Sequence, residues 1–193
     1  MREVMLTRKT KETDITLTLD IDGSGQTQIE TGIGFFDHML NSLCVHAGWS
    51  LLLTAKGDLE VDCHHTVEDV GILLGRALGN ILADKGGIKR FGHATIPMDE
   101  ALAMCAVDVS GRPFLVFNAD FADSRVGEMD TQTVEEFFRT FAFNAGITLH
   151  LNLLYGQNDH HRVEALFKAT AHALREALVA TDGGVLSAKG LLA

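Results

Sequence analysis

Residues 14–21 read ITLTLDID, apolar and polar in strict alternation, the period of a half-buried β-strand. Gly23-Ser24-Gly25 marks a turn, and a second short strand runs through Ile29. The period then changes. Phe35, Met39, Leu40 and Leu43 recur at helical spacing over 35–46, and an apolar run over 49–55, after Gly48, fits a buried strand. Val67, Val70, Leu74, Leu78 and Ile81 form one apolar stripe on a helix over 64–84, which Gly86-Gly87 ends. The second half follows the same order. Strands are predicted near 101–109 and 113–118, then a helix over 131–145, a strand over 147–154 and a long helix over 160–180. Val163, Leu166, Phe167, Leu174 and Leu178 are the stripe of that last helix.

The order repeats because the sequence does. His64-His65-Thr66-Val67-Glu68 recurs 96 residues later as His160-His161-Arg162-Val163-Glu164, and seven of nineteen positions are identical between 64–82 and 160–178. Background composition gives roughly one or two. Upstream, Ala47-Gly48 and WSLLL align with Ala145-Gly146 and ITLHL at an offset of 98, which sets His38 opposite Glu136. Further back, KETDITLTLDIDG aligns with DEALAMCAVDVSG at an offset of 88, which sets Glu12 opposite Glu100. Each half, 1–88 and 89–193, is then a ββαβα unit too small to bury its sheet alone. Two such units sharing one core make an α/β (α+β) sandwich.

On a helix, residues three and four apart share a face, so His65 and His64 both lie on the side of Glu68. Neighbouring histidines point about 100° apart, which makes it hard for one helix to aim both at one ion. Two ions shared between the repeats fit better, each taking a histidine from each doublet and one glutamate. His38 and Glu136, in equivalent places at the start of the shorter helices, are candidates to complete the two sites. Imidazole with carboxylate oxygen suits Mn²⁺, Fe²⁺ or Zn²⁺, and five or six mixed N/O ligands favour Mn²⁺. His46, His93, His150 and His172 lack repeat partners and read as structural or surface residues. HExxH is absent, which argues against a metalloprotease.

Charge narrows the choice of partner. The 193 residues carry a net charge of −10, so nucleic acid and anionic membrane surfaces are not expected partners. No apolar stretch approaches the roughly 20 residues that span a bilayer. MREVMLTRKTKETD lacks the apolar region of a secretory leader, and the three cysteines, Cys44, Cys63 and Cys105, make no even disulfide framework. The expectation is reduced thiols in a cytoplasmic protein. Against the acidic background, Lys89-Arg90, Arg112, Lys168 and Ser187-Ala188-Lys189 stand out as candidates to attract an anion.

The strings GIGFFDHML, DCHHTVEDVGILLG, KRFGHATIPMDEAL, DVSGRPFL, GEMDTQTVEEFF, NDHHRVEALFKATAHAL and LSAKGLL together closely resemble the imidazoleglycerol-phosphate dehydratase family of histidine biosynthesis, over nearly the whole chain. The resemblance implies helices packed between two four-stranded mixed sheets. It implies a homo-oligomer of 24 subunits built from trimers, with sites where subunits meet and two Mn²⁺ per site. By motif match, His38, His64, His65, His160, His161, Glu68 and Glu164 would be ligands. Glu136 stands where the family often has histidine, in VEEFF rather than VEHFF. Glu12 would contact the substrate, and Arg90, Arg112, Lys168, Ser187 and Lys189 would hold its phosphate; Ala188 replaces the usual second serine. The implied reaction is loss of water from imidazole glycerol phosphate through a metal-bound imidazolate, giving imidazole acetol phosphate, with Glu12, Glu68 or Glu164 moving protons. Two rivals use the same ligands: a di-metal phosphoesterase that activates water, and a non-catalytic metal-storage shell.

Overall fold

The two halves fold alike. In the computed structural model, which describes residues 2–83, 85–188 and 190, the first half runs β1 (Glu3–Lys9), β2 (Thr13–Asp20), β3 (Thr27–Glu30), α1 (Gly34–Ala47), β4 (Ser50–Gly57) and α2 (His64–Leu82). The second runs β5 (Phe91–Met98), β6 (Ala101–Asp108), β7 (Phe114–Asn118), a short hairpin of β8 (Arg125–Val126) and β9 (Met129–Asp130), α3 (Gln132–Ala145), β10 (Thr148–Tyr155) and α4 (Asp159–Ala177). The sheets have the same strand order, β1-β2-β4-β3 and β5-β6-β10-β7. In each, the last pair is parallel because a helix crosses over between its strands, and the other pairs are antiparallel. The repeat offset grows from 88 to 98 between β7 and α3, and the β8–β9 hairpin lies in that ten-residue insertion.

Besides the β8–β9 hairpin, each four-stranded sheet carries one strand more than the sequence pattern predicts. Both extra strands, β1 and β5, are sheet edges. On β1 the inward positions are Val4, Leu6 and the charged Arg8, while Met5 points outward, so the apolar alternation is broken. On β5 the signal is masked by Gly92 and Pro97, both poor strand formers. Gly92 is there because α4 lies directly against it: a Cβ would stand 2.8 Å from the Ala177 nitrogen. The long helices end earlier than the pattern predicts, at Leu82 and Ala177.

The four helices form the filling between the sheets. α2 lies on β1, β2 and β4, α1 on β3 and β4, α4 on β5, β6 and β10, and α3 on β7. Across the middle, α2 packs on α3 and α1 on α4, so each repeat's long helix meets the other's short one. The join is aromatic. The Phe36 ring of the first half meets Phe137 of the second at 5.4 Å, and Phe167 backs that contact from within the second half, 5.2 Å from Phe137 and 4.7 Å from Phe138. Burying each such ring stabilises by about 1.5–3 kcal/mol. Either half alone would expose these faces, so a single core draws on both. The α2–α3 contact is especially close. A Cβ at Gly75 would stand 2.5 Å from the Phe141 carbonyl oxygen, and one at Gly71 2.9 Å from that of Phe137. At the equivalent places α4 carries Ala171 and Phe167.

All three cysteines are free and buried, and burial pushes the Cys44 and Cys105 thiols up to about 12. Among the described residues, no helix is long and apolar enough to cross a membrane.

Candidate active site

α1 and α4 begin side by side, and their first turns carry the densest group of donors. The entry to α1 is set by Thr31, whose backbone N–H and hydroxyl both donate to the Asp37 carboxylate, at 3.0 and 2.5 Å. The entry to α4 is set by Asn158, whose side chain accepts from the His161 backbone N–H. One turn apart on α4, His160 Nε2 lies 3.3 Å from the Glu164 carboxylate. His38 Nε2, from α1, lies 3.6 Å from the same oxygen. One atom from each of His38, His160 and Glu164 falls within 4.8 Å of the others, a spacing a single cation can bridge. The Phe35 ring backs His160 edge-on at 5.0 Å. Lys168, a turn further along, donates to the other Glu164 oxygen at 2.6 Å. Burial alone would raise the Glu164 pKa; the Lys168 hydrogen bond and charge, with His38 and His160, reverse this and hold it below the usual carboxylate range.

Among the described residues, no comparable group draws donors from both histidine doublets. The expectation of one histidine from each doublet on each ion is therefore not met within one chain. The cause is the crossing of the helices: α4 pairs with α1, whereas the first doublet opens α2, which pairs with α3. Beside α3, His64 Nε2 lies 4.0 Å from Glu68 on its own helix. Glu136, the repeat equivalent of His38, lies 3.5 Å from Arg139 and is not in the cluster.

The second histidine of each doublet is held differently from the first. His65 Nδ1 is 3.0 Å from Asp58, and His161 Nδ1 is 2.7 Å from Glu100. These hydrogen bonds raise both histidine pKa values. Glu100 also accepts from the Asn158 and Gln157 backbone N–H groups at 2.7 and 3.0 Å, and its pKa falls to about 2. Glu12 sits on the β1–β2 turn with Oε1 4.0 Å from His65 Nε2 and the side chain half exposed. A buried network braces that turn: Thr13 donates to Asp69 at 2.5 Å, and Arg8 pairs with the same carboxylate at 2.8 Å.

The basic candidates divide. Arg90, buried, donates to Asp108 at 2.7 and 3.1 Å and to the Leu186 carbonyl at 2.5 Å, beside Ser187. Arg112, exposed, reaches the same Asp108 at 3.4 Å. Lys168 is engaged by Glu164, and Lys189 lies outside the described residues. Sequence reasoning missed Asp58 and Asp108 and gave Glu100 no role. The Glu12–Glu100 alignment was the available signal for Glu100, whereas Asp58 has none, because its repeat equivalent is Gly156. His46 and His172, which lack repeat partners and read as structural or surface residues, bond each other at 3.2 Å across α1 and α4.

A duplicated α/β sandwich with imidazole and carboxylate donors gathered where crossing helices begin defines a protein with a candidate divalent-metal centre. The comparisons make this particular. A family model described as imidazoleglycerol-phosphate dehydratase matches residues 31–174. The chain is 55% identical over 193 residues to the imidazoleglycerol-phosphate dehydratase of Acetivibrio thermocellus, covering 99% of each. It is 57% identical over 187 residues to that of Alkaliphilus metalliredigens, covering 96% of each. Among solved structures it is similar to imidazoleglycerol-phosphate dehydratase from Staphylococcus aureus, with a TM-score of 0.85 and 42% identity over 93% of this chain and 99% of that one. The Pyrococcus furiosus structure matches with a TM-score of 0.85 and 37% identity over 97% of this chain and 100% of that one. The chain belongs to the imidazoleglycerol-phosphate dehydratase family, hydro-lyases of histidine biosynthesis.

Proposed function

We propose that this chain dehydrates imidazole glycerol phosphate to imidazole acetol phosphate, with divalent cations, two Mn²⁺ per site, held by its histidines and glutamates. The observation that carries the reading is the His38–His160–Glu164 group: two imidazoles and a carboxylate from two helices suit a borderline cation such as Mn²⁺. His64, His65, His161 and Glu68 are the further ligands, with Glu136 in the place that completes the second site. Bound cations would supply positive charge that favours loss of the substrate's ring N–H proton and so helps expel the neighbouring hydroxyl.

The rest falls to the protein's own groups. The proton to be removed sits on a carbon with no carbonyl beside it, so a positioned carboxylate is needed. Glu12 is best suited, since its exposed carboxylate stands clear of His65 by 4.0 Å, whereas Glu164 is engaged by Lys168 and two imidazoles. Glu68, 4.0 Å from His64, is the remaining carboxylate for returning a proton to the leaving hydroxyl. Arg112, Arg90, Ser187, Lys168 and Lys189 hold the phosphate and fix the substrate's orientation.

Three protein donors fall short of the five or six that Mn²⁺ takes in mixed N/O sites, which supports sites completed between subunits of a 24-subunit shell built from trimers. Residues 1–88 and 89–193 act as one domain, and the enzyme works in the cytoplasm. The test is to incubate the assembled, Mn²⁺-loaded protein with imidazole glycerol phosphate. Ketone formation without phosphate release supports the proposal; phosphate release without ketone favours the phosphoesterase.

A further inference from the structure

We propose that Asp58 and Glu100 are positioning residues that fix the rings of His65 and His161 so that Nε2 of each is presented to a divalent cation. The inference rests on the metal-dependent reading above and says how the second histidine of each doublet is prepared for its role.

The argument begins with what a carboxylate does. Ionised, it only accepts, so the ring nitrogen bonded to it must be the one that carries hydrogen. Asp58 faces His65 Nδ1 with both oxygens, at 3.0 and 3.2 Å. Glu100 faces His161 Nδ1 at 2.7 Å. In both rings Nε2 is then the nitrogen turned away from that carboxylate and available to coordinate, the arrangement that outer carboxylates impose on metal-binding histidines. A second, more exposed carboxylate stands near each, Glu12 at 4.0 Å from His65 and Asp99 at 3.6 Å from His161. The first histidines of the doublets differ: Nε2 of His64 and of His160 faces the glutamate one turn along its own helix, at 4.0 and 3.3 Å.

Duplication alone does not account for these two contacts. Glu100 sits on the β5–β6 turn, where the first repeat has Glu12, and Glu12 approaches the opposite ring nitrogen of His65. Asp58 sits just after β4, where the second repeat has Gly156. The same ring atom is therefore held in both repeats by carboxylates from different places in the fold. Each carboxylate is itself placed by the backbone. Glu100 accepts from the Gln157 and Asn158 N–H groups at the start of α4. The Asp58 N–H donates to the Glu12 carbonyl, and its own carbonyl accepts from Val61. With Asp58 holding His65, the Glu12 carboxylate is spared for the substrate.

The test measures Mn²⁺ binding to the assembled, metal-free full-length protein without substrate, by the electron paramagnetic resonance signal of free Mn²⁺. Asp58→Ala and Glu100→Ala should each weaken binding by about 10–100-fold. Asp58→Asn, which keeps an acceptor oxygen, should recover most of the loss. Glu12→Ala, at the repeat equivalent of Glu100, should bind within about twofold of wild type. Should an alanine variant fail to assemble, ¹⁵N solid-state spectra of the wild-type, metal-free protein at pH 8 decide. They should show His65 and His161 protonated at Nδ1, and protonation at Nε2 overturns the inference. Wild-type affinity in both alanine variants overturns it as well. Wild-type protein that binds no Mn²⁺ overturns the metal reading itself.

Discussion

The carboxylate of Glu100 holds His161 Nδ1 at 2.7 Å, whereas that of Glu12, in the same place in the other repeat, stands 4.0 Å from His65 Nε2. One carboxylate is committed and the other is available. Glu12→Gln should therefore lower kcat by about 10²–10⁴-fold while bound metal, measured by mass spectrometry, stays at the wild-type level. A turnover rate near wild type would remove Glu12 from the proton transfer.

Glu164 is placed to act as a ligand. Its carboxylate is buried between two imidazoles and Lys168. Glu164→Gln keeps the volume and loses the charge, so it should abolish turnover and lower bound metal while assembly, read by light scattering, persists. Activity near normal would exclude Glu164 both as base and as essential ligand.

Arg90 and Arg112 share Asp108 but differ in burial, and their variants should separate. Arg112→Ala should change stability by no more than about 0.5 kcal/mol and raise KM sharply. Arg90→Ala leaves Asp108 and the Leu186 carbonyl without a buried partner and should cost about 1.5–3 kcal/mol in chemical denaturation. An Arg112→Ala enzyme with unchanged KM would contradict its phosphate role.

The sequence shows the helices well and the edges poorly. The stripes of α2 and α4 could be read because every inward position except the half-buried Ile81 is buried, from Val67 to Leu78 and from Val163 to Leu178. β1 and β5 escaped because an edge strand has one partner and tolerates Arg8, Gly92 and Pro97. In the site, duplication revealed the doublets, Glu68 and Glu164. It could not reveal that His38 meets His160, because that depends on α1 crossing onto the other repeat's helix. Asp58 was hidden for a simpler reason, the absence of a counterpart in the other half.

The close α2–α3 contact predicts a packing cost. Gly75→Ala would press a methyl group onto the Phe141 carbonyl, a backbone atom that cannot rotate away. It should destabilise by about 1–3 kcal/mol in chemical denaturation, and stability equal to wild type would show that the helices part freely.

Glu176 gives a pH dependence away from the metal-site candidates. It accepts from Lys89 Nζ at 2.5 Å and from the His93 backbone N–H at 2.9 Å, and these bonds hold its carboxyl below the usual range. A lowered native pKa stabilises above the unfolded-state value of about 4.3, and the gain is lost as pH falls through the native value. Glu176→Gln should therefore melt below wild type at pH 7, with the gap closing below about pH 4. A gap independent of pH would show that the effect is not this ionisation.

Anomalous diffraction at the manganese edge from Mn²⁺-loaded crystals of the assembled protein tests the central claim most directly. The account predicts a peak bonded to His38, His160 and Glu164, and a second peak on ligands that include His64 and Glu68. Metal-loaded crystals with no peak at the His38–His160–Glu164 group would contradict it.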